Sequence, residues 1–169
     1  MPSVQDTNAH ALVVEVLDDD GDWSDLANAE ALIAQAAEAV AKAPIEGAVG
    51  SVAVALSSDE VVAQLNGQFR GKPKSTNVLS FPAGAGAPPG FIGDVILAHE
   101  TVVREAQEQD LQLREHVQHL VVHGILHLLG YDHETADMAE KMEALEISIL
   151  SSLGIANPYT GALETGKSE

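Results

Sequence analysis

The chain has no cysteine, which excludes a disulfide framework and any thiolate metal site. It also lacks a long apolar run: no stretch approaches the ~20 residues that a membrane helix needs. The opening residues, MPSVQDTNAH, carry neither a positive segment nor an apolar one, so no secretory signal is expected and the expected address is cytoplasmic. Cations are scarce. Eight Lys and Arg stand against 26 Asp and Glu, a formal net charge of −18, and such a surface repels nucleic acid in a general, sequence-independent way. What remains is an ordinary soluble composition, 46% hydrophobic and 20% charged over 169 residues, enough for one domain with a real core.

Apolar periodicity and turn residues divide the chain into short elements. ALVVEVLD (11–18), GSVAVALSS (50–58), NVLSF (77–81) and FIGDVILA (91–98) read as strands. An Ala-rich amphipathic helix is predicted over 23–42, stopped by Pro44, and a second over 58–69 with Ser58 as its cap. Three more follow at about 100–109, 112–129 and 134–153, the last closed by Gly154. No internal repeat is present. The expectation is an α/β (α+β) domain over residues 1–156, with a small mixed four-stranded sheet packed with about five helices. NPYTGALETGKSE (157–169) reads as a loose tail.

Two loops fail as ligand motifs. In DDDGDWSD, taking Gly21 as the sixth position of a calcium loop puts Val16 first and Ala27 twelfth, neither of them a ligand. AGAGAPPG (83–90) lacks the Gly-Lys-Ser/Thr of a phosphate-binding loop. A third is more informative. Three of the eight cations, Arg70, Lys72 and Lys74, lie within RGKPK. Such a cluster is commonly a solvated loop, yet on an acidic body it can also grip one or two phosphates.

The densest chemistry lies in VVHGILHLLGYDH (121–133). A helix turning about 100° per residue places His116, His119, His123 and His127 within an arc of roughly 80°. Their neighbours Leu120, Val121, Ile125 and Leu128 are apolar, so each ring needs a partner inside a largely buried segment. Ligands at i and i+4 can share one metal, but His119 and His127 are about 12 Å apart along the axis, so 119, 123 and 127 cannot all ligate one ion. Gly130 offers a helix exit, since glycine adopts the left-handed conformation without steric cost. His133 can then fold back, and His123, His127 and His133 read as one metal site. His10, His99 and His116 read as structural or incidental.

The spacing coincides with H-E-x-x-H-x-x-G-x-x-H of metzincin proteases. Gly124, however, stands where a metzincin has its general-base glutamate, and without that carboxylate the usual route to peptide hydrolysis is missing.

HGILHLLGYDH closely resembles the signature of the YbeY family, bacterial metal-dependent endoribonucleases of ribosomal RNA maturation. LNGQFRGKPKSTNVLSFP (65–82), IGDVILA, the upstream HVQHLVV and the helix containing ETADMAEKMEALE are similar to the family's corresponding segments. The resemblance spans roughly residues 50–153. It implies an α/β fold, one zinc ion held by His123, His127 and His133, and an RNA-associated cleft arginine at Arg70. It departs at Asn77, where many members have Asp; a structural turn or strand-entry role is expected there.

The residues agree with what the resemblance implies. A His₃ zinc keeps a fourth position open for water or substrate, and Arg70 can neutralise charge building on a phosphodiester. Lys72 and Lys74 would hold flanking phosphates of the RNA. His119 is open to two roles, proton transfer or support beside the metal on one hand and packing on the other. The implied function is single-strand-specific, zinc-dependent RNA cleavage in 16S ribosomal RNA 3′ end maturation and ribosome quality control. The implied partners are ribosomal RNA and the ribosome or its basic proteins, with no membrane. The alternatives are a zinc metalloprotease-like hydrolase and a non-enzymatic ribosome assembly factor. The sequence does not fix the oligomeric state, the cleavage site or the attacking nucleophile, and all-histidine sites also accept other transition metals.

Overall fold

The computed structural model describes residues 11–45 and 47–159. Four strands, β1 (Leu12–Asp18), β2 (Gly50–Ser57), β3 (Val78–Pro82) and β4 (Phe91–Ala98), alternate with five helices. These are α1 (Ala29–Lys42), α2 (Asp59–Arg70), α3 (His99–Glu108), α4 (Leu113–Leu128) and α5 (Ala136–Ser152). The sheet order is β1-β2-β4-β3. β1, β2 and β4 run parallel, and β3 runs antiparallel to β4 at the edge. The mixed four-stranded sheet and five helices expected from the sequence are all present.

Strand alternation divides the apolar residues between the two faces of the sheet. Val52, Val54, Val95 and Leu97 face the main core. There they meet Ile33, Ala37 and Val40 of α1, Val121 and Ile125 of α4, and Met142 and Leu150 of α5. Each large side chain fully buried here contributes about 1.5–3 kcal/mol. Ile96 and Leu79 turn to the opposite face, where Val62 of α2 covers them. The centre of this layered arrangement is α4, flanked by the sheet and α5.

Three boundaries differ from the sequence reading. α1 begins at Ala29 rather than at residue 23. Trp23 and Leu26 are buried as a helical stripe would be, but they sit in the irregular segment before α1. The Trp23 indole donates to the Ser57 carbonyl at 3.0 Å, and Asn28 adopts φ 57°, which a helix cannot continue through. α5 begins at Ala136, where the Thr135 hydroxyl accepts from the Met138 amide. Pro82 closes β3 from inside the strand, which an edge position tolerates. Ser58 caps α2 as expected, accepting from the Val61 amide at 3.2 Å. No described helix is long and apolar enough to cross a membrane.

The start of the expected tail is engaged: the Tyr159 hydroxyl donates to Glu146 of α5. Residues 160–169 of that tail, and His10, lie outside the described residues.

Candidate metal centre

The helix that carries the histidines lies close against the sheet because one of its residues has no side chain. A Cβ on Gly124 would stand 2.9 Å from Val95 Cγ1 and 3.1 Å from the Ser80 hydroxyl. That contact places the last turn of α4 beside the β3 edge, with His123 and His127 on the rim. α4 then stops. The Gly130 amide donates to His127 O and the Tyr131 amide to Leu126 O, a Schellman closure with Gly130 at φ 106°. The chain reverses, the Asp132 carboxylate accepts from the Glu134 amide at 3.0 Å, and His133 returns to the helix end.

One ring nitrogen from each of His123, His127 and His133 lies within 4.8 Å of the other two. A tetrahedral ion bound at about 2.0–2.1 Å sets its ligands about 3.4 Å apart, a separation that small ring rotations reach from here. The ring centroids of His123 stand 4.6 Å from His127 and 5.5 Å from His133. Burial holds the His127 ring below the ordinary histidine range, reinforced by repulsion from His123 and His133. Its lone pair is therefore free for a cation at neutral pH. The donor set fits a divalent metal.

Behind the triad sits a carboxylate that the sequence reading did not single out. Glu146 of α5 is fully buried, and its Oε2 accepts from His123 Nδ1 at 2.6 Å. Its Oε1 pairs with His119 Nε2 at 3.2 Å and with the Tyr159 hydroxyl. Burial alone pushes such a carboxyl upward, but the hydrogen bonds from His119 and His123, the nearby His123 ring and Tyr159 outweigh it and hold Glu146 at about 2. The one trace in the sequence is its place in a buried stripe with Met142, Ile149 and Leu150. His119 is thus turned toward Glu146, the carboxylate that also bonds His123, and is not among the residues lining the cleft beside His123 and His127.

A cleft of about 620 Å³ opens in front of the histidines, lined among others by Arg70, Thr76, Ser80, His123, His127 and Asp132. Arg70 reaches it from the end of α2. Its Nη2 donates to the Ser80 carbonyl at 2.7 Å, and the guanidinium lies 5.2 Å from the centre of the Phe81 ring. Lys72 and Lys74 are exposed on the following loop and are not among the residues lining the cleft. Asn66 pins that loop by donating to the Lys74 carbonyl at 2.9 Å.

The other singled-out residues have structural partners. Asn77, at the entry to β3, accepts from the Ala98 amide through its backbone carbonyl. Its side chain donates to Glu105 Oε1 at 3.0 Å. His116 pairs with the same oxygen at 2.9 Å. His99 meets Asp25 at 3.0 Å and packs edge-on against Trp23.

Comparison with known proteins agrees with this architecture. Residues 16–154 match the family described as Endoribonuclease YbeY. A relative of that name from Maricaulis maris is 47% identical over 152 residues, 90% of this chain and 92% of the relative. One from Dinoroseobacter shibae is 42% identical over 175 aligned positions, covering 94% of this chain and 96% of its own. A solution structure from Thermotoga maritima superposes with a TM-score of 0.54 at 30% identity, over 83% of this chain and 91% of that one. With its histidine triad, cleft arginine and mixed sheet inside the matched region, the chain belongs to the YbeY endoribonuclease family.

Proposed function

We propose that this chain is a zinc-dependent endoribonuclease cutting single-stranded RNA in the cytoplasm, in the 3′ maturation of 16S ribosomal RNA and in ribosome quality control. The observation that carries the proposal is the convergence of His123, His127 and His133 at the edge of a cleft that His123, His127 and Arg70 line. The name shared by the relatives supports RNA as the substrate.

Three neutral imidazoles would hold one zinc ion, which supplies a Lewis acid and brings the pKa of bound water to about 7. Arg70 is the residue of the chain that meets the phosphodiester. Its fork is positioned by Ser80 and Phe81, and it stays charged as negative charge builds on the phosphoryl oxygens. Lys72 and Lys74 engage phosphates further along the strand, outside the cleft lining. His119 acts through Glu146 rather than on the substrate. The excess of acidic residues favours basic ribosomal proteins as partners and leaves RNA affinity to the Arg70 region.

A protease reading finds no support at Gly124, where a side chain would collide with Val95 and Ser80. The deciding experiment is zinc-reconstituted protein on matched single-stranded and duplex ribosomal RNA segments, with chelator and with His123→Ala. Cleavage of the single strand that chelator and His123→Ala both abolish is expected. Zinc-dependent peptide cleavage with intact RNA would overturn the proposal.

A further inference from the structure

We propose that Glu146 is a positioning residue of the metal centre and that Tyr159 completes it, so that chain beyond residue 154 helps set metal affinity. This rests on the zinc reading above, and it concerns how the ligand set is held rather than what it does.

Three observations carry it. First, the Glu146 side chain is completely shielded from solvent while both of its oxygens are engaged. An ionised carboxylate in such a place is retained only when well paired, and among the described residues its partners are two imidazoles and a phenol, with no Lys or Arg. Second, the 2.6 Å contact to His123 Nδ1 puts the ring proton on that nitrogen, because a carboxylate only accepts. The lone pair then resides on Nε2, and the bond fixes the ring's rotation. His123 is thereby committed to presenting one donor atom in one direction before any ion arrives. Third, Tyr159 lies five residues past the end of the family match at 154. Its hydroxyl donates to the Glu146 oxygen that His119 also contacts, and its ring packs edge-on against His119 at 6.0 Å. Its own backbone is set by the Asn157 side chain, which accepts from the Tyr159 amide at 2.8 Å.

A purely structural Glu146 would hold α4 to α5 and leave metal affinity unchanged. The test separates the two. Zinc affinity is measured by competition with a chromophoric chelator for the full chain, Glu146→Gln, Glu146→Ala and Tyr159→Phe, with thermal melting of each metal-free protein alongside. Long-range ¹⁵N–¹H spectra of the metal-free full chain at mildly alkaline pH identify which His123 nitrogen carries the proton. The expected result is a proton on Nδ1 and a zinc affinity lowered about 10–100-fold in the Glu146 variants. Tyr159→Phe should lose about 2–10-fold, as one hydrogen bond implies, with metal-free melting near that of the parent. Parental zinc affinity in the Glu146 variants, or a His123 proton on Nε2, overturns the inference, and parental affinity in Tyr159→Phe removes Tyr159 from it. Should the Glu146 variants fail to fold, Tyr159→Phe and the spectrum decide. A full chain that takes up no zinc defeats the zinc reading, while the His123 spectrum still reports whether Glu146 orients the ring.

Discussion

The Ser80 hydroxyl donates to the Gly124 carbonyl at 3.1 Å, tying the edge strand of the sheet to the helix that carries two of the three candidate ligands. Ser80 itself lines the cleft. The bond is possible because position 124 has no side chain to hold strand and helix apart.

Gly124→Ala is accordingly expected to destabilise the protein by about 1–3 kcal/mol, the usual range for forcing a methyl group into a packed contact. Gly124→Glu, which restores the protease-like motif, should not give a folded protein. Denaturant unfolding checks the first and soluble yield the second. A folded Gly124→Glu protein would show that the helix can lift from β4.

Arg70 should be separable from the metal. Arg70→Glu is expected to lower the single-turnover cleavage rate at least about 10²-fold, on the scale of losing one charge-stabilising donor, with zinc content unchanged. Arg70→Lys keeps the charge but gives up the planar fork over Phe81 and should fall between the two. Normal cleavage by Arg70→Glu would remove this residue from the reaction.

Acid should weaken the metal-free fold. Burial lowers His116, partly offset by its hydrogen bond to Glu105, and burial with neighbouring imidazoles lowers His127. Between the lowered folded values and the ordinary value of about 6.5 the unfolded chain binds more protons. This contribution to stability is complete above that ordinary value and is lost as pH falls through the folded ones. Melting of the chelated protein should drop from neutral pH to about pH 5, and less steeply in His116→Gln. A flat profile would contradict the burial argument.

Asn77→Asp tests the strand-entry role. The amide that donates to Glu105 at 3.0 Å becomes a second carboxylate facing the first, which raises the pKa of one of them. A raised carboxyl is unfavourable above its unfolded value and neutral below it. The loss, about 1 kcal/mol for one hydrogen bond of a part-buried pair replaced by repulsion, should be largest at neutral pH and shrink as pH falls. Denaturant titrations at two pH values measure it.

The elements most legible in the sequence were those whose pattern and partners are local. FIGDVILA and GSVAVALS alternate or run apolar between turn residues and form β4 and β2 within a residue of the reading. The triad was legible because a helical period, a glycine exit and a short return fix its geometry almost unaided. The start of α1 was not, because Trp23 and Leu26 have helical spacing and are buried, yet Trp23 bonds the end of β2 and Asn28 breaks the helical path before Ala29. Glu146 was hidden for a related reason. Its partners His119, His123 and Tyr159 lie 13 to 27 positions away, and one acidic residue in an apolar stripe does not announce which rings it will meet. Lys72 and Lys74, sequence neighbours of Arg70, follow the α2 cap at Gly71 onto an exposed loop and are not among the residues lining the cleft.

Gly130 separates a donor pair fixed to one rigid helix from a single donor on the turn that follows. An ion held by all three would close a small ring of chain between residues 127 and 133, of which only the part after Leu128 is not helical. How readily His133 would let go of such an ion would depend on the stiffness of this turn, since His123 and His127 share one helix. Changes confined to Tyr131 and Asp132 would lengthen or shorten occupancy without touching a ligand.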